Sequence, residues 1–247
     1  MNRRFTGGLY VKGAYTFGKA INFQDGSGSD SGGTTLGWNH PSVFYRNRAI
    51  AGYDRRHNLQ MAWVYDLPFG PGKRWMPSRG VAGAIVRDWQ INGILSSYTG
   101  TPFNVTASGT SLNAPSNTQT ADQVNPVVTK LGGVGNAEVA FYDPTAFRAV
   151  SDVRFGTSGR NILRGPGLVN LGLGVFRNIT LTERWKMQFR AEGFNVTNTP
   201  HFGNPGANVS NAQFNADGTV RALRGFMAIT GAVADERQLR FGLRLMF

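Results

Sequence analysis

The chain has 247 residues, of which 40% are apolar and 12% aromatic, with 33 glycines, no cysteine and a formal charge of +12. That is enough chain for one large or two small domains, and so much glycine and aromatic residue suits strands and turns better than helices. Without cysteine there are no disulfides, thiolate metal sites or cysteine nucleophiles, and no run approaches the roughly 18 consecutive apolar residues of a membrane helix. The charge invites a nucleic-acid reading. However, the arginines stand singly or in pairs such as Arg3-Arg4 and Arg55-Arg56, and several alternate with apolar residues, as on a face that lines water rather than phosphate.

Alternation of period two marks six long strands. The first, about Phe5 to Ala20, sets Leu9, Val11, Tyr15 and Phe17 against Tyr10, Lys12 and Thr16. A Gly/Ser/Asp-rich loop follows over about 22–52. The second strand, about Arg56 to Phe69, carries Leu59, Met61, Trp63, Tyr65, Leu67 and Phe69 on one face. Gly70-Pro-Gly breaks it, and the run after Trp75 reads as a strand extension or a short helical piece. The third strand, about Trp89 to Thr106, places Trp89, Ile91, Gly93 and Leu95 in phase, and a long polar region follows over about 107–167. The fourth strand, about 168–181, is interrupted in phase by Arg177, read as snorkelling or as a bulge. A tight turn at Thr182-Glu-Arg leads to the fifth strand from Trp185, and a second polar loop over about 198–236 precedes the last strand, Arg237 to Phe247.

That last strand is the clearest. Leu239, Phe241, Leu243, Leu245 and Phe247 share one face, Gln238, Arg240, Gly242 and Arg244 the other. An amphipathic strand of about ten residues is long enough to cross a bilayer at a tilt. A terminal Phe247 closing it resembles the assembly signal of bacterial outer-membrane β-barrels. Connection lengths agree, because such barrels alternate long outer loops with short periplasmic turns. Phe69, Trp89, Trp185 and Phe247 then fall at the periplasmic strand ends in phase with the apolar faces, forming a candidate aromatic girdle. The fold class expected is therefore all-β: an antiparallel transmembrane β-barrel segment of about six long strands with long outer loops. The rival from another class is a soluble, secreted β-sandwich that binds carbohydrate.

Several motifs in order carry a family resemblance: Tyr53-Asp-Arg-Arg-His-Asn-Leu, Leu67-Pro-Phe-Gly-Pro-Gly-Lys-Arg-Trp, Ser97-Tyr-Thr-Gly-Thr-Pro-Phe, Tyr142-Asp-Pro-Thr-Ala-Phe, Gly159-Arg-Asn-Ile-Leu-Arg-Gly-Pro-Gly, and Phe189-Arg-Ala-Glu-Gly-Phe-Asn-Val-Thr-Asn-Thr-Pro-His-Phe-Gly-Asn-Pro. Together they resemble the carboxy-terminal barrel of the Oar-like TonB-dependent receptors of the bacterial outer membrane. The resemblance implies a large barrel enclosing a plug, with substrate binding and uptake powered through an inner-membrane energy-coupling complex. It also implies that a signal peptide, a regulatory-type domain and the plug precede residue 1. Six strands cannot close around a lumen, the smallest barrels having eight, so residues 1–247 are expected to be a barrel fragment. The partners implied are outer-membrane lipid and lipopolysaccharide, the barrel-assembly machinery, the missing plug and the TonB complex. Nucleic acid is not among them.

No catalytic, cofactor or metal site is expected. His40, His57 and His201 share no ligand spacing, Asp25-Gly-Ser-Gly-Ser-Asp30 lacks the closing Glu of a calcium loop, and Gly132-Gly-Val-Gly opens no convincing helix. Glu183, Glu192 and Asp66 are expected to pair with Arg184, Arg190 or Arg240 in the lumen. Arg160 and Arg164 could position a loop over the lumen or meet lipopolysaccharide phosphates, or simply belong to a loop-to-strand connector. Trp38, Tyr45, Phe141, Tyr142 and Phe202 are loop rings suited either to stacking on a glycan or peptide or to packing the loops.

Overall fold

The computed structural model describes residues 2–4, 7–25, 37–70, 73, 75, 81–110, 112–114, 117–234 and 236–247. One sheet dominates it, with strands β1 (Asn2–Arg4), β2 (Leu9–Phe17), β3 (His57–Asp66), β4 (Trp89–Tyr98), β5 (Leu168–Thr180), β6 (Lys186–Phe194) and β7 (Gln238–Met246). They pair antiparallel in strict chain order, each with its neighbour in sequence. The sheet is an up-and-down meander and is open, with β1 and β7 at its edges. The seventh strand is β1, which lies ahead of the expected first strand; that strand begins at Leu9 rather than Phe5, just after Gly8, whose φ of +82° suits glycine.

Register carries the two-faced pattern across the whole sheet. Leu9 lies opposite Tyr65, Tyr65 opposite Ile91, Ile91 opposite Val175, Val175 opposite Ala191 and Ala191 opposite Phe241. One step along, Asn92 faces Gly174, Gly174 faces Glu192 and Glu192 faces Arg240 on the other side. A one-residue slip anywhere would turn a whole strand inside out, so six strands agreeing in phase is a stringent match. The apolar face takes the lipid and the polar face the lumen. Among the described residues no second sheet covers the apolar face, which removes the sandwich alternative.

Arg177 causes no bulge: pairing with β6 runs unbroken through it at Phe189, and the ladder with β4 reaches it in register at Trp89, its last pair. Its guanidinium lies 5.4 Å over the Trp89 ring and donates to the carbonyls of Ala84 and Arg87. Those carbonyls belong to or follow a short helix, α1 (Val81–Val86), which is the helical alternative for this segment. The Trp89 indole N–H donates to the Ile85 carbonyl at 2.8 Å. Carbonyls that a helix end leaves open are thereby satisfied, and a cation on the lipid face finds polar and ring partners at the membrane surface.

The long connections differ most from the sequence reading. The described residues of 99–167 and 195–237 form a packed body, not an open loop region, with a buried core inside it: Phe103, Val105, Phe141, Phe147, Val209 and Phe226 among others. Three two-stranded ladders lie in it, pairing Pro102–Phe103 with Leu163–Arg164, Asp122–Gln123 with Phe147–Arg148, and Gln213–Phe214 with Val220–Ala222, while the first connection carries its own, Ile21–Asn22 with Ala49–Ile50. The third long strand ends at Tyr98 rather than Thr106 because the chain enters this body at Gly100. A Cβ on Gly100 would lie 1.9 Å from the Gly165 carbonyl oxygen, so only glycine permits the contact.

Candidate functional site

The body stands at the end of the sheet where β2, β4 and β6 run into the long connections, and its attachment is built from buried charge. Arg160, with 5% of its side chain exposed, places Nη1 3.3 Å from Asp25 Oδ2 and donates to the Asn22 carbonyl at 2.8 Å and to the Asn22 amide oxygen. Asn161, in the left-handed conformation (φ 55°), donates its side-chain amide to Asp25 at 2.8 Å and to the Ile50 carbonyl at 2.7 Å. Arg164 pairs with Asp54, whose side chain is 3% exposed, and also donates to the carbonyls of Asp54 and Gly100. Two arginines of one segment thus pin the first long connection, residues 18–56, to the body.

Both carboxylates titrate below the ordinary range. Burial works to raise Asp25, but hydrogen bonds from Asn22, the Gly52 N–H and Asn161, with the charge of Arg160, outweigh it. Burial is likewise outweighed at Asp54, by the Ala20 N–H, by the hydrogen bond and charge of Arg164, and by Arg56. Arg160 itself is lowered by burial, opposed by Asp25.

Arg160 and Arg164 are therefore structural clamps, committed to Asp25, Asp54 and backbone carbonyls. Trp38 is not a surface ring either: it is 1% exposed, with Arg46 stacked 4.7 Å over it. Tyr142 is 9% exposed and donates its hydroxyl to the Arg164 carbonyl at 2.7 Å. Phe141 packs edge-on against it. Of the five loop rings only Tyr45 is well exposed. Local sequence could not separate buried from exposed loop rings, because the partners sit in segments with no regular period, Arg46 beside Trp38 and Arg164 beside Tyr142.

At the other end, Trp185 lies 5.3 Å from Phe247 and Phe69 lies 5.6 Å from Trp75. Trp89 packs edge-on against Phe189. The four girdle residues thus occur at the short-connection end in two ring pairs and one edge contact. On the lumen face, Asp66 accepts from Gln90 at 2.7 Å. Arg190 stacks on Phe176 and donates to Gln188, and Arg240 stacks on Phe194. Glu192 sits opposite Arg240 in the ladder. Rings and amides, rather than the expected carboxylates, hold these guanidinium groups.

His40 bonds Ser42, His57 bonds Tyr15, and buried His201 meets the Val169 carbonyl, so the three do not converge. In the glycine run 132–135, Gly132 and Gly135 have positive φ and sit in irregular backbone. Of the Asp25–Asp30 run only Asp25 lies within the described residues.

A feature not anticipated from the sequence is a cleft of about 560 Å³ in the body. Tyr53, Arg55, Thr101, Asn104, Asn161 and Asn204 line it, with Asp25 and Phe103. Tyr53 is exposed, and Arg55 lies 5.8 Å over the Tyr98 ring. Asp25 is bonded to the Gly52 N–H and Asn161, and Arg55 to the Thr99 carbonyl, so the amides, the hydroxyl and the open ring left over suit a polar, uncharged ligand better than a strongly charged one. A smaller hollow of about 250 Å³ opens on the lumen face around Asn92, Asn170, Gly172, Gly174 and Glu192.

A two-faced antiparallel meander, with aromatic rings gathered at one end and a packed body at the other, defines a membrane-spanning β-sheet of the barrel type. A family model described as "Outer membrane beta barrel domain" matches residues 1–240. The chain belongs to that family, and its place is the bacterial outer membrane. No curated protein and no solved structure matches it.

Proposed function

We propose that this chain is the carboxy-terminal barrel portion of a TonB-dependent receptor of the Oar-like kind, and that its outer body captures a substrate for uptake through the barrel. The open sheet supports the barrel-portion reading. Seven strands with unpaired edges leave backbone groups unsatisfied in lipid, so the edges of β1 and β7 call for further strands. In this reading those strands, a plug and an energy-coupling segment belong to the same receptor, and the chain performs no catalysis of its own.

The packed outer body is the observation that carries the proposal. A passive barrel needs only loops on its outer side, whereas here two largely buried ion pairs hold a packed structure that carries an amide-rich cleft. The cleft chemistry favours a glycan or a peptide backbone, both rich in neutral donors and acceptors.

The test uses cells that produce the protein. An antibody to residues 107–167 should label intact cells, and the labelled outer-membrane species should be far larger than 26.9 kDa, with peptides of a plug in the same polypeptide. A labelled species of this chain's own mass, without a plug, would overturn the receptor reading while leaving the family untouched.

A further inference from the structure

A groove of about 500 Å³ lies where the outer body meets the lipid-facing side of the wall. Its floor is Tyr15, Leu59 and Ser97, three consecutive partners in one row of the apolar face, from β2, β3 and β4. The body contributes Lys130, Tyr142 and Arg164, and His57 stands at the strand end beside them. The lining contains these basic groups and no carboxylate.

The basic groups are not equivalent. Arg164 is committed to Asp54 and two carbonyls. His57 Nδ1 is bonded to the Tyr15 hydroxyl at 2.8 Å. Lys130 is exposed, with its ammonium 4.8 Å over the Phe141 ring, and among the described residues no carboxylate comes within ion-pair distance. A cation so placed, above an apolar floor and at the level where the strands leave the bilayer, matches an amphiphile with an anionic head and acyl chains.

We propose that this groove holds a lipopolysaccharide molecule of the outer leaflet, with a phosphate of its lipid A on Lys130 and an acyl chain along Tyr15, Leu59 and Ser97. Free phosphate would leave the apolar floor uncovered. A periplasmic-leaflet phospholipid would lie at the opposite end of the strands, beside Trp89 and Trp185. The inference rests on outer-membrane location and on which face meets lipid, and it is independent of substrate uptake.

The experiment is native mass spectrometry of the protein extracted in mild detergent from outer membranes of the producing cell. Wild type is compared with Lys130→Gln, Lys130→Arg, Ser97→Phe and Lys186→Gln, the last removing a cation at the opposite end of the strands. One retained lipid A-containing molecule is expected in wild type. Retention should fall about tenfold in Lys130→Gln, the loss of one charge-assisted contact, and similarly in Ser97→Phe, which fills the groove without altering charge. Lys130→Arg and Lys186→Gln should retain it. Equal retention in all variants, retention of phospholipid alone, or no retained lipid would each overturn the proposal. If Lys130→Gln does not assemble, Ser97→Phe against Lys130→Arg decides the matter. Absence of the wild-type protein from the outer-membrane fraction would instead overturn the location itself.

Discussion

Arg160 Nη1 lies 3.3 Å from Asp25 Oδ2, across 135 positions of chain, and this pair joins the first outer connection to the body that forms from the second and third. Arg160 has 5% of its side chain exposed and Asp25 17%, so removing one member leaves the other poorly solvated. Arg160→Gln is expected to destabilise the outer body by about 3 kcal/mol and to make residues 18–56 sensitive to protease on intact cells. The double variant with Asp25→Asn should recover part of that loss, because no unpaired charge remains. Wild-type protease resistance in Arg160→Gln would show that the clamp is not needed.

Acid should open the same clamp, and the direction follows from the carboxylates. Asp25 and Asp54 both titrate below their ordinary value of 3.8 in the folded state. The unfolded body therefore takes up protons first as pH falls. The stabilisation is fully present above about pH 3.8 and is lost as pH drops through the lower folded values. Protease sensitivity of 18–56 should be flat from neutral pH down to that point and rise below it. Replacing both residues by asparagine should flatten the rise at a lower starting stability.

The barrel wall was legible in the sequence and the outer body was not, for one physical reason. A strand with lipid on one side and water on the other writes its environment into every second residue, so Leu239 to Phe247 can be read without knowing any neighbour. Arg177 broke that pattern because its partners, Trp89 and the carbonyl of Ala84, come from elsewhere in the chain. The body has no such periodicity. Its core residues Phe103, Phe147 and Phe226 come from separate short segments without a regular period and meet through long-range closure, while the asparagines and glycines that suggested open loops supply tight turns such as Asn161 and close approaches such as Gly100.

Gly93 and Trp63 make a second long-range requirement that the sequence shows only as a glycine in phase with apolar neighbours. The two lie opposite in the β3–β4 ladder, and a Cβ on Gly93 would come 2.1 Å from the Trp63 ring. Gly93→Ala is expected to cost about 1–3 kcal/mol through overpacking and to lower the assembled amount. With Trp63→Leu in place the same alanine should cost little. A double-mutant cycle on heat-modifiable mobility in detergent measures the coupling, and additive effects would show that the ring moves freely aside.

The assignment of faces is tested best near the middle of β5. Leu173 and Gly172 are adjacent, with Leu173 on the apolar face, and a Cβ on Gly172 would meet nothing closer than 3.7 Å. Leu173→Arg should cost about 2–4 kcal/mol, the penalty for a charge at the bilayer midplane, whereas Gly172→Arg, pointing to the lumen, should cost far less. Leu243 is a poorer probe, because it shares a row with Phe189 and Arg177, where a guanidinium is already accommodated. Equal assembly of the two arginine variants would reverse the facing.

Phe247 closes the chain beyond β7, packed against Trp185 with ring centroids 5.3 Å apart, yet 82% exposed. Burial so slight cannot make Phe247 important to the stability of the finished sheet. If its ring matters, it matters in recognition before the strands are in place. Phe247→Ala is therefore expected to leave the thermal stability of assembled protein almost unchanged while reducing the amount that reaches the outer membrane. Ala207 would be an unsuitable control, since its carbonyl accepts from the Thr106 N–H inside the packed body. Val127→Ala, at an exposed loop position, is suitable. Pulse-chase measurement of membrane insertion separates the two roles: slowed insertion with unchanged melting identifies an assembly signal, and lowered melting with unchanged insertion assigns Phe247 to the girdle alone.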